Sequence, residues 1–231
     1  TFTPGQKAVF EKLSMAIEAG QFESFLLHGV TGSGKTEIYI RCIQRILEMG
    51  KTAIMMVPEI SLTPQTVERF RQRFGDRVAI LHSGLSQTER YLEWKKIRDE
   101  KVSIAVGARS AVFAPFKNLG IIVIDEEHDG SYKQDSNPRY HARDTAVMRA
   151  RSLNAIVVMG SATPSLESTQ NTRLGKYQYL SLDSRVGESM LPLVSLVDMK
   201  RERKEFKNFS MLSGALRSAI RDRLSRNEQI F

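Results

Sequence analysis

Short unbroken apolar runs, each followed by a stretch with helical spacing, recur through most of this chain. "SFLLHG", "TAIMMVP", "RVAIL", "VSIAVG", "IIVID" and "AIVVMGSA" are the runs. A strand that is apolar at every position has both faces buried, which is the signature of a parallel sheet covered by helices on both sides. Right-handed crossovers then bring the loops that follow the strands to one edge, where such sheets bind ligands. The expected fold is therefore α/β, a mostly parallel twisted sheet with helices on both faces.

The helices announce their ends. Thr3 reads as an N-cap with Pro4 at the first helical position, and Gly20 closes that helix. Thr63-Pro64 and Gly75 frame another, and Ser86 with Glu89 forms a capping box for a third. In the helix after the first strand, Ile38, Cys42, Ile46 and Met49 share one face. A further helix is expected at about 142–153, and "MLSGALRSAIRDRLSR" reads as one more. From about Ser184 to Asn208 the rhythm breaks and charges accumulate, and Ile230 and Phe231 read as the opening of a buried strand. The organisation expected is one lobe over 1–183, then a charged linker, a helix and the start of a second lobe over 184–231. On that reading the chain is a fragment cut at a domain boundary. The basic C-terminal stretch is explained as well by a solvated helix face as by a ligand.

Charge narrows the partner. Lys and Arg number 34 against 26 Asp and Glu, a net charge of +8, which favours a polyanion, with nucleic acid first. Cys42 is the single cysteine, so no disulfide and no thiolate zinc site can form within the chain. No run approaches the ~20 apolar residues of a membrane span, and no signal-peptide pattern opens the chain, so a cytoplasmic protein is expected.

"GVTGSGKT" lies between the first strand and the next helix, and has the spacing of a phosphate-binding loop. Gly29, Gly32 and Gly34 permit the close backbone approach that a Cβ would block. The backbone amides of Gly29, Val30, Thr31, Gly32, Ser33 and Gly34 and of the helix start would face β-phosphate oxygens. Lys35 would neutralise β- and γ-phosphate charge, and Thr36 would ligate Mg²⁺. "IIVIDEEHDG" then ends a buried strand in three carboxylates and an imidazole, a costly clustering unless a cation sits among them. Asp125 is the expected second anchor of that Mg²⁺, and Glu126 the group that orients or deprotonates the attacking water. The catalytic set is thus Lys35, Asp125 and Glu126.

Three other stretches offer anion or base contacts. Arg109 and Ser110 in "GARSAVFAPF" could bind a phosphate. Ser61 and Thr63 in "VPEISLTPQ" either do the same or simply cap a helix. "HDGSYKQDSNPRYHARD" interleaves Tyr132, Lys133, Arg139, Tyr140 and Arg143, the ingredients of a single-strand contact, although tyrosines in a loop also pack on their own domain.

The order of phosphate loop, "DEEH" and "GSAT" resembles the first motor lobe of superfamily 2 helicases of the DEAD/DEAH type. That likeness implies a RecA-like P-loop NTPase lobe, with ATP and Mg²⁺ as cofactors, and a relay in which His128 contacts Ser161 or Thr163. "GVTGSGKTEIY", "VPEISLTPQ", "LHSGLSQTER", "GARSAVFAPF", "IDEEHDGSYKQ", "RYHARD" and "GSATPSLES" together resemble the family of primosomal replication-restart DNA helicases. "FTPGQ" is similar to the adenine-recognising glutamine motif, with Phe2 where Leu is usual, so Gln6 is either an adenine reader or an ordinary first-turn glutamine.

The family likeness implies 3′-to-5′ unwinding of forked DNA, with single-stranded DNA, a single-strand-binding protein and other primosome proteins as partners. It also implies a second helicase lobe that supplies arginines, and a zinc region outside this chain. Nothing after Thr163 resembles those later motifs, so weak hydrolysis is expected of this lobe alone. Two alternatives stay open: another superfamily 2 DNA translocase, or a nucleotide-dependent DNA-binding switch that does not translocate.

Overall fold

A computed structural model describes residues 2–185, 194–206 and 211–230. The chain separates into two compact units, Thr1–Glu188 and Ser189–Phe231. The first contains β1 (Glu23–Gly29), β2 (Thr52–Met56), β3 (Val78–Leu81), β4 (Ile104–Gly107), β5 (Leu119–Ile124), β8 (Ile156–Ser161) and β9 (Gln178–Leu182). These form one sheet in the order β3-β4-β2-β5-β8-β1-β9, and every pairing is parallel. A separate two-stranded antiparallel hairpin is made by β6 (Lys133–Gln134) and β7 (Tyr140–His141).

The period-2 alternation of each strand divides the core into two layers. Phe25, Leu27, Val123 and Val158 face one side, against Leu13 and Ile17 of α1 (Pro4–Ala19), Ile38, Cys42 and Ile46 of α2 (Lys35–Glu48) and Phe70 of α3 (Pro64–Phe74). Leu26, Ile122, Ile124 and Val157 face the other, against Ile97 of α4 (Gln87–Arg98) and the alanines Ala142, Ala146 and Ala150 of α5 (Ala142–Ser152). Burial pushes the Cys42 thiol up to about 12. Met49, expected on the same face, is instead the exposed C-cap of α2.

Local signals set the boundaries. Thr3 and Ser86 each form a capping box, with Gln6 and Glu89, and Thr63 accepts the Thr66 amide at the start of α3. The outer edge at β3 is closed from the side: the Ile80 amide donates to Glu93 of α4 at 3.1 Å. After β8, α6 (Leu166–Arg173) leads to β9.

One strand was not expected, and one expectation needs correction. The edge strand β9 is absent from the sequence reading because "QYLSL" buries only alternate positions and so forms no apolar run. Ile230 lies in irregular backbone, not in a strand, and Phe231 falls outside the described residues. The second unit contains α7 (Met199–Phe206), inside the stretch expected to be a linker, and α8 (Gly214–Ser225). Ser213 caps α8, and the Gly214 amide donates to Glu202 at 2.9 Å.

Candidate functional site

The strand order decides what meets at the C-terminal edge of the sheet. β8 lies between β5 and β1, so the segments after β1, β8 and β5 are neighbours: the glycine loop, "SAT" and the acidic box. A cleft of about 530 Å³ opens there, lined by Gln6, Thr31 to Glu37, Ile40, Arg69, Asp125 and Glu126.

The loop is shaped by its glycines. Gly32 and Gly34 have φ of +81° and +83°, a region that costs side-chain-bearing residues energy. A Cβ on Gly29 would stand 2.6 Å from Ser33 Oγ. Gly34 is the N-cap of α2, so the first amides of that helix open onto the cleft. Lys35, 8 % exposed, donates to the Gly29 carbonyl at 2.7 Å and lies 3.8 Å from Glu126. Gln6 ties α1 to the loop: its Nε2 donates to the Ser33 carbonyl at 2.9 Å, and its Oε1 accepts the Thr3 amide at 2.9 Å. Each end of that amide keeps one further hydrogen-bonding capacity, which limits what Gln6 can offer a base edge.

Asp125 follows β5 directly, with its amide bonded to the Met56 carbonyl at 2.9 Å. Tyr39 donates to Asp125 Oδ1 at 3.1 Å, and Tyr132 donates to the Asp125 carbonyl at 2.7 Å. Burial raises the pKa of the Asp125 carboxyl and the Glu126 charge adds to this, while Tyr39 and Lys35 oppose it. Such a pair of neighbouring acids is relieved by a cation. Glu126 takes φ of +45°, unusual for a residue with a side chain, and lies 3.6 Å from His128. His128 Nδ1 stands 2.8 Å from Ser161 Oγ, its Nε2 stands 3.4 Å from Thr163 Oγ1, and the Thr163 amide donates to Ser161.

The donor set fits a magnesium nucleotide. Ser33 Oγ is buried without a hydrogen-bond partner among the described residues, in the loop that lines the cleft. Among the described residues no group of three or more His, Cys, Asp or Glu could hold a metal by itself. Mg²⁺ is held by one or two protein groups together with phosphate oxygens and water, and Thr36 and Asp125 both line this cleft.

The aromatic-rich loop departs from expectation. Tyr132 is fully buried and presents no face for a base to stack on. Arg143 is also buried, in an ion pair with Glu127 at 2.9 Å and hydrogen bonds to Ser165 and Ser168. Both assignments as DNA contacts are corrected: these side chains pack the loop onto the lobe. Tyr140 is half-buried, edge-on to Phe113 with ring centroids 5.0 Å apart. Arg109 donates to the Lys133 carbonyl at 2.6 Å, Arg139 to the Asp135 carbonyl at 3.0 Å, and Lys133 pairs with Asp135 at 3.2 Å. Ser110 is exposed beside Arg109. Thr63 serves as a helix cap, while Ser61 offers its carbonyl to Thr66 Oγ1.

Several residues escaped the sequence reading. Glu127 accepts from Ser165 N at 2.8 Å, Ser168 Oγ at 2.8 Å and Arg143, joining the acidic box to α5 and α6. Burial alone would raise its pKa, but these donors outweigh it and hold the carboxyl below the usual range. Arg149 donates to the Val112 and Ala114 carbonyls, fixing the Arg109 segment to the same helix. The spacing Glu127-x₁₅-Arg143 carries no local signal that could have found the first pair.

The DEAD/DEAH box helicase family matches residues 3–172. The chain is 52 % identical over 227 residues to the replication restart protein PriA of Bacillus subtilis (strain 168), covering 98 % of this chain and 28 % of that protein. It is 45 % identical over 228 residues to the replication restart protein PriA of Chlamydia pneumoniae, covering 98 % and 30 %. The chain thus spans less than a third of the length of these two relatives. Among solved structures, RecG bound to a three-way DNA junction superposes with a TM-score of 0.63 at 23 % identity, over 90 % of this chain and 27 % of that one. The Hef helicase domain of Pyrococcus furiosus gives 0.54 at 21 %, over 76 % and 37 %. At such identities the likeness establishes the fold alone.

Proposed function

The chain belongs to the DEAD/DEAH box helicase family, and from that premise we propose that it is the ATP-binding lobe of a cytoplasmic DNA helicase that unwinds forked DNA to restart replication. The observation that carries this reading is the convergence of Lys35, Thr36, Asp125 and Glu126 on one cleft. The long match to replication restart proteins supports the choice of DNA and of forks. The 3′-to-5′ direction, a second lobe, a zinc region elsewhere, and a single-strand-binding protein and other primosome proteins as partners all come from that likeness. Among the described residues no helix is long and apolar enough to cross a membrane.

In this mechanism the loop amides and Lys35 orient the triphosphate. Thr36 and Asp125 would hold Mg²⁺, which when bound neutralises phosphate charge. Glu126 is placed to accept a proton from a water beside the γ-phosphate. His128 lies between Glu126 and the Ser161–Thr163 segment, so a change at the nucleotide is passed to the track after β8. Hydrolysis by this lobe alone is slow, because an arginine donated across a lobe interface contributes about 10³–10⁵ in rate.

Isothermal calorimetry with Mg-ATP tests the reading: saturable heat is expected from the chain and none from Lys35→Ala. No heat from the unaltered chain at high nucleotide concentration would overturn it. For the helicase step, a protein joining this lobe to its proposed second lobe should hydrolyse ATP faster when forked DNA is added. Binding without any DNA stimulation would favour a nucleotide switch instead.

A further inference from the structure

Tyr39 lies one helical turn beyond Lys35, so the helix that carries the phosphate-binding lysine also aims a phenol at the acidic box. The ring is fully buried. Its hydroxyl is not needed to fill the space, since a phenylalanine would pack the same cavity without a polar group to desolvate. The surrounding structure nevertheless makes room for that oxygen. Gly160 sits in the middle of a parallel sheet, where a side chain would ordinarily pack, and a Cβ there would lie 1.6 Å from the Tyr39 hydroxyl. Glycine inside a strand weakens it and marks a close approach. Here the close approach is to a hydroxyl whose partner is Asp125 Oδ1, at 3.1 Å.

A second phenol acts from the other face of the sheet. Tyr132 belongs to the opposite core layer, and it holds the backbone carbonyl of the same aspartate at 2.7 Å. Asp125 is therefore gripped at its side chain from one layer and at its main chain from the other. Tyr39 engages one carboxylate oxygen, and Asp125 lines the cleft together with Thr36.

We propose that Tyr39 is a positioning residue for the nucleotide-linked magnesium, acting through Asp125 by locking its carboxylate in the orientation that presents one oxygen to the metal. This rests on the magnesium nucleotide reading of the cleft. Groups that orient metal ligands in this way typically contribute about 10–100-fold to metal affinity. Tyr39 itself does not touch the metal or the nucleotide.

The test is a Mg²⁺ titration of the chain with a fluorescent ATP analogue, for the unaltered protein, Tyr39→Phe and Asp125→Asn, with parallel titrations in EDTA and thermal melts. For Tyr39→Phe the Mg²⁺ concentration at half-saturation should rise by about tenfold or more. Its affinity for the analogue in EDTA and its thermal midpoint should stay close to those of the unaltered chain. If Asp125→Asn shifts the Mg²⁺ dependence and Tyr39→Phe does not, the role of Tyr39 is overturned while the metal site stands. If neither variant shifts it, the metal-site reading itself fails. If Tyr39→Phe lowers the EDTA affinity and the melting temperature together without a specific Mg²⁺ effect, the hydroxyl serves packing and the proposal is wrong.

Discussion

Glu127 and Arg143 face each other 2.9 Å apart in the interior, with side-chain exposures of 0 % and 7 %. Their contact fastens the segment after β5 to the helix that also carries Arg149. Removing one partner leaves the other charged and buried, which costs about 3–5 kcal/mol. Arg143→Ala should therefore lower the thermal midpoint sharply, an effect to be read by calorimetry.

The same pair makes stability depend on acid. The Glu127 pKa is depressed in the folded chain below its ordinary 4.5. Its contribution is full above that ordinary value and is lost as pH falls through the depressed folded one. Glu127→Gln should be less stable than the unaltered chain at neutral pH. It should also lose less stability on going to about pH 3, because the titrating group is gone. Melting curves at the two pH values check both the sign and the difference.

Asp125 and Glu126 are adjacent, yet their replacements should separate. Asp125→Asn is expected to weaken Mg-nucleotide binding. Glu126→Gln should bind almost normally and turn over at least ~10²-fold more slowly, the typical share of a positioned general base. Fluorescent-analogue titration together with phosphate release distinguishes them, and equal affinity losses would contradict the assigned roles.

Glu126 also has φ of +45°, a conformation that a glycine adopts without strain. A function-driven glutamate here is held against a backbone cost of about 1 kcal/mol or more. Glu126→Gly should keep or raise the melting temperature while stopping hydrolysis. A clear drop in stability would mean that the side chain is there for packing.

Arg109 is partly exposed, and Tyr132 is fully buried. Arg109→Ala should weaken single-stranded DNA binding and reduce the salt slope by about one, with little change in stability. Tyr132→Ala should instead cost about 3–5 kcal/mol of stability, as loss of a buried aromatic does. Fluorescence anisotropy over a salt series and chemical denaturation provide the two measurements.

What could be read from the sequence follows from range. The apolar runs gave the parallel sheet, and Thr-Pro, Ser-x-x-Glu and terminal glycines gave the helix ends, because each is a signal within a few residues. The phosphate loop and Asp125 were legible because both stand at strand ends, and the sheet brings strand ends to one edge. Arg143 and Tyr132 were misread because composition shows that a loop is aromatic and basic, but not which of its side chains turn inward. Glu127 was passed over for Asp125 and Glu126, the neighbours expected to carry the chemistry. Its partners Arg143, Ser165 and Ser168 lie 16 to 41 positions away. Tyr39 drew no reading from the sequence, since the room made for its oxygen by Gly160 is visible only in the fold. β9 escaped because an edge strand needs only half of its side chains buried.

At β3, one carboxylate from the neighbouring helix takes up the Ile80 amide. A sheet whose outermost strand left that hydrogen free would invite a neighbour's strand to add itself, and copy upon copy could follow. Glu93, itself paired with Lys96, takes up that hydrogen and places charge on the edge, which disfavours an approaching backbone. The lobe thus carries its own stop against self-propagating strand exchange, at the margin of the sheet farthest along the strand order from the phosphate loop.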